Sequence, residues 1–398
     1  MSKKITEKVS WVGKVDWELQ TFHGDELSTR KGSSYNAYLI RDEKTVLIDT
    51  VWLPYDKEFV SRLKQEIPLE KLDAIVMLHN EVDHSGSLPE LLREIPDVPI
   101  YCTAKGEAIL RGHYHQDWNF RTVKTGCELD LGETKLTFIE AAMMHWPDTM
   151  FAFMDGENIL FSNDGFGQHY ASESLYDDCV PQEELFYEAE KYYTNILNPF
   201  SPMVAKKLKE IEAMGLPELR LICPSHGVIW RSHIADILAK YAAWSQPYQE
   251  DQITLLYDTM WQSTRKMAEA IAEGIRSHAP QTTVKLQCVS KEDKNDVLVE
   301  VFRSKGVLVG SPTINNGPSF AMAGILEMMK GLKFKQKKGG VFGSYGWNGA
   351  ALKPMAEMLA SAGFELVGDP AKALWVPDED ALAACRTFGE TFAAAFEN

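Results

Sequence analysis

Paired cysteines are what this sequence most plainly lacks. Its six cysteines, Cys102, Cys127, Cys179, Cys223, Cys288 and Cys385, form no CxxC pair. That favours reduced thiols over a disulfide framework and removes a zinc ribbon or an iron–sulfur centre held by paired cysteines. A basic surface is missing too. The formal net charge is −16, whereas nucleic acids and anionic membranes both call for cationic surface, so no nucleic-acid and no membrane partner is expected. No apolar run is long enough to span a bilayer, and the early lysines of MSKKITEKVSWVG lead into no apolar signal segment, so a cytoplasmic location is expected. GxGxxG and GK[ST] are absent as well, which weakens a dinucleotide reading and removes the P-loop.

What is present divides into two patterns. At 398 residues, 45% hydrophobic and 25% charged, the chain exceeds one ordinary domain and reads as two globular ones. The first part alternates β-rich runs with turns: SSYNAYLI, TVLIDTV, DAIVMLH, PIYCT, KLTFIEA, FAFMD and NILFSND. Helical patterns intervene at KEFVSRLKQEI, over a longer stretch from Glu183 to Met214, and at HIADILAKYAAWSQ, which ends near Pro247. From Gln252 strand and helix alternate: ITLLYD with RKMAEAIAEGI, TVKLQCV, GVLVGSP with SFAMAGILEMM, and GGVFGSYG with ALKPMAEMLASAG. This predicts a doubly wound parallel sheet, with domains at 1–250 and 251–398.

The chemistry concentrates at strand ends. LHNEVDHSG follows the apolar run DAIVM and sets His79, Glu81, Asp83 and His84 within six residues. His145 in FIEAAMMHWPD, Asp164 in ILFSNDGFG and His226 in LRLICPSHGV also stand where apolar strands run out. A lone His there is ordinarily a hydrogen-bonded structural residue and a lone Asp before Gly a turn. Seven together leave several buried charges unexplained without a metal.

The spacing H-x-E-x-D-H, followed at long range by His, Asp and His, resembles the metallo-β-lactamase fold, in which His more commonly stands where this sequence has Glu81. Glu81, Asp83 and Asp164 supply three carboxylates beside imidazoles, a donor set that favours iron over a hydrolytic zinc pair. Joined to a doubly wound second half, the whole chain resembles the flavodiiron proteins. The resemblance implies an α/β protein with an N-terminal metallo-β-lactamase-like αββα sandwich and a C-terminal flavodoxin-like doubly wound parallel sheet. It also implies two iron ions, one held by His79, Glu81 and His145 and the other by Asp83 and His226, with Asp164 bridging. His84 ligates the second iron in some members and turns away in others. Tyr193, in EKYYTNIL, matches a family tyrosine at the open face of the irons, and His169 is a further candidate there; as sequence alone Tyr193 reads equally as a core-facing helix residue. His113, His115, His233 and His278 read as ordinary histidines.

In the second half, the loop Thr259, Met260, Trp261, Gln262, Ser263 and Thr264 opens a helix. Its hydroxyls, backbone N–H groups and helix N-terminus suit a phosphate. Two more strand-end loops follow, Ser311, Pro312, Thr313, Ile314, Asn315 and Asn316, then Ser344, Tyr345, Gly346, Trp347, Asn348 and Gly349. Ligands of open α/β sheets bind outside the carboxyl ends of strands, and three such loops in this order resemble the FMN site of a flavodoxin.

By the same resemblance, FMN would relay electrons to the diiron site, which would reduce O2 to water and/or NO to N2O. The family forms a head-to-tail homodimer or a pair of dimers, a homotetramer, and with no paired CxxC module in the sequence a separate rubredoxin-type donor is expected. Two other readings compete. One is a dizinc hydrolase whose second domain is regulatory; the other is a flavodoxin-type electron carrier on a docking scaffold.

Overall fold

The structure, a computed structural model, describes residues 2–397. By packing the chain divides into two units, Met1–Tyr192 with Phe200–Ala243 and Tyr193–Pro199 with Trp244–Asn398. The single cut expected at 250 is therefore displaced to 243/244, and a short segment from the middle of the first part belongs to the second unit. The long helical stretch expected from Glu183 to Met214 is correspondingly broken. Gln182–Tyr192 is α-helical, Tyr193–Leu197 widens to a π-turn, and a 3₁₀ turn at Asn198–Phe200 leads into the helix Ser201–Ala213. Pro199 removes a backbone donor and restricts Asn198, so a regular α-helix cannot run through to Ser201.

The first unit is a two-sheet sandwich. Its seven-stranded sheet runs, in space, Lys3–Lys4, Val9–Trp11, Tyr38–Arg41, Thr45–Ile48, Ala74–Val76, Ile100–Thr103, Phe120–Val123. The last four of these are parallel. The five-stranded sheet runs Glu128–Asp130, Lys135–Glu140, Met150–Asp155, Ile159–Asn163, Leu221–Pro224, and its final pair is parallel. Ile48 and Val76 from one sheet, Leu78 just beyond it, and Phe138, Ala152 and Phe161 from the other share one buried core. Each such side chain contributes roughly 1.5–3 kcal/mol on leaving water. SSYNAYLI, read as one run, is two strands in different sheets: Ser33–Tyr35 pairs with Lys14–Asp16, and Tyr38–Arg41 joins the large sheet. The interruption is Asn36, whose N–H donates to Ser225 O and whose side-chain amide donates to Pro224 O and Gly227 O. It ties this strand to the loop that carries His226.

The second unit is an all-parallel sheet, in spatial order Thr283–Cys288, Glu250–Tyr257, Ser304–Gly310, Lys338–Tyr345, with Glu365–Leu366 and Ala371–Leu374 both on the last of these. The order reverses direction at Glu250–Tyr257, the switch point at which doubly wound sheets open a crevice. Helices Ser263–His278 and Glu379–Ala394 pack closely at reciprocal glycines: a Cβ on Gly274 would lie 2.0 Å from Arg386 O, and one on Gly389 2.1 Å from Ile271 O. Larger residues would push these helices apart.

Candidate metal centre and flavin pocket

Strands Ala74–Val76, Ile159–Asn163 and Leu221–Pro224 end at one rim of the sandwich, and the residues that follow them converge. His79, Glu81 and His145 form one group whose ligand atoms lie within 4.8 Å of one another, Asp83, His84 and His226 form a second, and His79, His84 and Asp164 connect them. All seven residues singled out in the sequence are thus brought together. Asp164 stands between the groups, with Oδ2 3.4 Å from His145 Nε2 and Oδ1 3.2 and 3.4 Å from His84 Nε2 and His226 Nε2. His84 faces inward, its Nε2 also 3.2 Å from Asp83 Oδ2.

The histidines are aimed by what holds their other nitrogen. His226 Nδ1 donates to Ser34 O at 2.7 Å; since a carbonyl only accepts, Nε2 is left free toward Asp83 and Asp164. His79 Nδ1 faces both oxygens of Asp148 at 3.1 Å, and Asp148 also accepts from the backbone and side-chain N–H groups of Asn80. Asp148 was not singled out in the sequence; its signal was the acid three residues after His145 in HWPD. His23, also unforeseen, reaches Glu81 Oε1 at 3.0 Å from the hairpin of Thr21–Phe22 and Leu27–Ser28.

Burial opposes the charged forms of His79, Glu81, Asp83, His84, Asp164 and His226, yet the charges prevail by pairing. Burial lowers the His226 imidazolium, but Asp164 and Asp83 outweigh it and lift it to about 10. Against its own burial, Asp164 is held well below the usual carboxylate range by His84, His145 and His226. Both Asp164 oxygens and Asp83 Oδ1 are buried without a hydrogen bond among the described residues, which costs free energy unless a positive ion takes up their lone pairs. Three carboxylates and four imidazoles, grouped on either side of a shared aspartate, fit two iron ions.

Next to the ligands lie His169 and Tyr192. His169 is buried, its ring 5.1 Å from that of His226; Nδ1 is 2.8 Å from Ser33 Oγ and Nε2 has no hydrogen bond. Burial pushes its imidazolium well down, with His226 adding to the effect. The Tyr192 ring is 5.1 Å from His169 and 6.2 Å from His226, and burial followed by the charge of Asp164 pushes its phenol well up. Tyr193, the tyrosine expected here, is instead in the second unit, 5.4 Å from Trp244 and 6.0 Å from Phe302. Neighbouring helical residues project about 100° apart, so the adjacent tyrosines of EKYYTNIL cannot share a face.

The second unit opens a cavity of about 410 Å³ at the carboxyl ends of its strands, lined by Met260, Trp261, Ser263, Pro312, Thr313, Ser344, Tyr345, Gly346 and Trp347. Trp375 and Val376 complete the lining; they follow the short strand Ala371–Leu374, which the strand–helix repeat did not mark. Gln262 has φ +70°, which turns the chain into the N-terminus of helix Ser263–His278. Thr264 Oγ1 pairs with Ser344 Oγ at 2.9 Å, joining the first loop to the third. Thr259 Oγ1 is buried without a hydrogen bond. An unpaired hydroxyl in the loop that leads into a helix N-terminus fits a phosphate, and the aromatic rims fit a flat ring, so the pocket suits FMN.

Other residues of the three loops build the pocket without lining it. Ser311 Oγ accepts from Ser319 N and donates to Pro312 O. Ile314 and Gly317 exchange backbone hydrogen bonds around Asn315 and Asn316, at φ +51° and +62°, the left-handed pair of a type I′ turn. Asn348 Nδ2 donates to Asn316 Oδ1, and a Cβ on Gly343 would lie 2.3 Å from Ser311 O. Gly349, at the end of the third loop, accepts through its carbonyl from Leu352 N.

Two family models match the chain, ODP family beta lactamase over residues 34–227 and flavodoxin over 255–389. The anaerobic nitric oxide reductase flavorubredoxin of Klebsiella pneumoniae is 50% identical over 395 residues, 99% of this chain and 82% of the relative. Among solved structures, rubredoxin oxygen:oxidoreductase of Desulfovibrio gigas superposes with a TM-score of 0.95 at 36% identity, covering 99% of this chain and 98% of the other. The flavodiiron protein of Giardia intestinalis gives 0.93 at 31%, covering 99% and 96%. Two groups of ligand-type side chains about one buried aspartate, a flavin pocket on a doubly wound sheet and this likeness along the full length place the chain in the flavodiiron protein family.

Proposed function

We propose that this protein reduces NO to N2O and/or O2 to water at a diiron centre, with FMN passing on electrons received from a rubredoxin-type donor. The observation that carries the reading is Asp164, buried between two ligand groups with neither oxygen hydrogen-bonded among the described residues, on a chain that also holds a flavin pocket. When bound, the irons supply substrate coordination and reducing equivalents, and FMN stores two electrons. Coupling two NO to N2O and water consumes two electrons and two protons; O2 reduced to two waters consumes four of each.

The chain's own residues supply the rest. Glu81, Asp83 and Asp164 neutralise the metal charge, and Asp148 and Ser34 hold His79 and His226 in the tautomer that leaves Nε2 free. Tyr192, its phenol pushed well up, keeps its proton at neutral pH. His169 offers a buried unpaired Nε2 beside the ligands. Both are suited to hydrogen-bond a diatomic substrate. In the second unit Trp347 is 88% exposed and Trp261 82%. Such surface fits a head-to-tail homodimer, alone or paired as a tetramer, in which one subunit's flavin meets its partner's irons. Among the described residues no helix is long and apolar enough to cross a membrane, and we place the protein in the cytoplasm.

Iron, zinc and FMN per chain, followed by anaerobic reduction and separate measurement of NO and O2 consumption, test the function. Two irons and one FMN with uptake of either gas are expected. Two zincs, or FMN without metal and no gas uptake, would overturn it in favour of a hydrolase or a carrier.

A further inference from the structure

We propose that the dipeptide Asp49–Thr50 is a positioning element that sets the spacing of both iron sites at once. It follows strand Thr45–Ile48 and lies outside the three groups of ligand-type side chains. Asp49 is buried, at φ +55°, a left-handed conformation that a non-glycine residue adopts only at some cost. Its carboxylate connects three separate strand ends. Oδ1 accepts from Leu78 N at 2.8 Å, and Oδ2 accepts from Asn163 Nδ2 and Ser225 Oγ, each at 3.3 Å. Each donor immediately precedes a ligand, His79, Asp164 and His226 respectively.

Thr50 continues the pattern: its N–H and its hydroxyl both donate to His84 O, at 2.9 and 2.6 Å. One turn of chain thus holds His79 of the first group, His84 and His226 of the second, and Asp164 between them. The Asp148 carboxylate, by contrast, is held among the described residues by one ligand, His79, and by Asn80 beside it. A carboxylate whose role was merely to fill a polar hole would have no reason to take its three donors from residues adjoining three different ligands.

The inference rests on reading these residues as iron ligands, and its test separates the two. Full-length wild type, Asp49→Asn, Asp148→Asn and Thr50→Val are stripped of metal, and Fe(II) is added anaerobically against a competing chromophoric chelator. Melting of each metal-free protein is followed in parallel. An amide at position 49 keeps the Leu78 bond but presents a donor to Asn163 and Ser225. Asp49→Asn is expected to weaken both binding steps by about tenfold or more, the scale set by residues behind metal ligands, with metal-free melting near wild type. Asp148→Asn is expected to weaken one step only. Two tight steps in Asp49→Asn, loss of one step alone, or an iron deficit equal to its unfolded fraction would overturn the inference. If Asp49→Asn does not fold, Thr50→Val decides: weakening of the step held by Asp83, His84 and His226 supports the inference, and wild-type binding overturns it. Wild type that binds no iron would sink the metal reading itself.

Discussion

In the metal unit Asp164 and His226 are 1% exposed and His79 is wholly buried, while in the flavin unit Trp347 and Trp261 stand 88% and 82% exposed around an open cavity. The two cofactors ask for different things. A divalent cation is bound by charge, which is costly to bury, so the unit must close over its ligands and pair every one of them. A flavin phosphate is held by backbone N–H groups and hydroxyls and its ring by apolar surface, so a few loops at a sheet edge suffice. The first site is a property of the whole sandwich, the second of three turns.

Removing the shared aspartate gives the largest break in this contrast. Asp164→Asn leaves both ligand groups without their common carboxylate and is expected to lower iron affinity by at least the tenfold to hundredfold seen for lesser perturbations. Iron content and gas consumption fall, and FMN content is retained. A variant with two irons and normal uptake would remove Asp164 from the centre.

pH responses in two separate windows come next. In the flavin unit Lys337 is buried, donating to Tyr248 O, Phe302 O and Ser304 O. Burial pushes it down from 10.5 to about 7, with Glu250 opposing. The unfolded chain therefore binds more protons between those values, and the stability of this unit rises as pH increases from about 7 toward 10.5, by on the order of a few kcal/mol. In the metal-free first unit Asp164 is held below its ordinary value, so that contribution is complete above about pH 4 and declines as the solution is acidified. Denaturant midpoints of each unit, read by flavin and by tryptophan signals from about pH 2 to about pH 10, check both slopes. Lys337→Met should abolish the alkaline rise.

A smaller effect separates recognition from folding. Thr259 Oγ1 has no partner to lose in the flavin-free protein, so Thr259→Val is expected to leave metal-free, flavin-free melting unchanged. FMN binding should weaken about tenfold, the worth of roughly one good hydrogen bond. Titration of the apoprotein with FMN measures it. Smallest is the tyrosine pair: Tyr192→Phe should slow gas consumption several-fold, about 1 kcal/mol, whereas Tyr193→Phe, in the other unit, should not. Equal effects would mean that the two units share this segment.

Much of the metal centre was legible because its chemistry is written in residue type. Seven histidines and carboxylates after apolar runs have few uses, and all seven converge. The residues that orient them were not. Asp49, Asp148 and Ser34 are ordinary in sequence and lie 30, 69 and 192 positions from the ligands they serve, a distance that local periodicity does not carry. EKYYTNIL shows the same limit: which tyrosine faces the ligands depends on where a helix widens and on which unit claims the next turn. In the flavin unit the loops were visible from their glycines, asparagines and hydroxyls, but Trp375 and Val376 were not, because they join the pocket only through a four-residue strand at the far side of the sheet. Alternation of strand and helix, ligand chemistry and turn chemistry are local and survive in one dimension. Orientation, tautomer and the partition of residues between two cores are set by contacts between distant segments, and only the folded chain decides those.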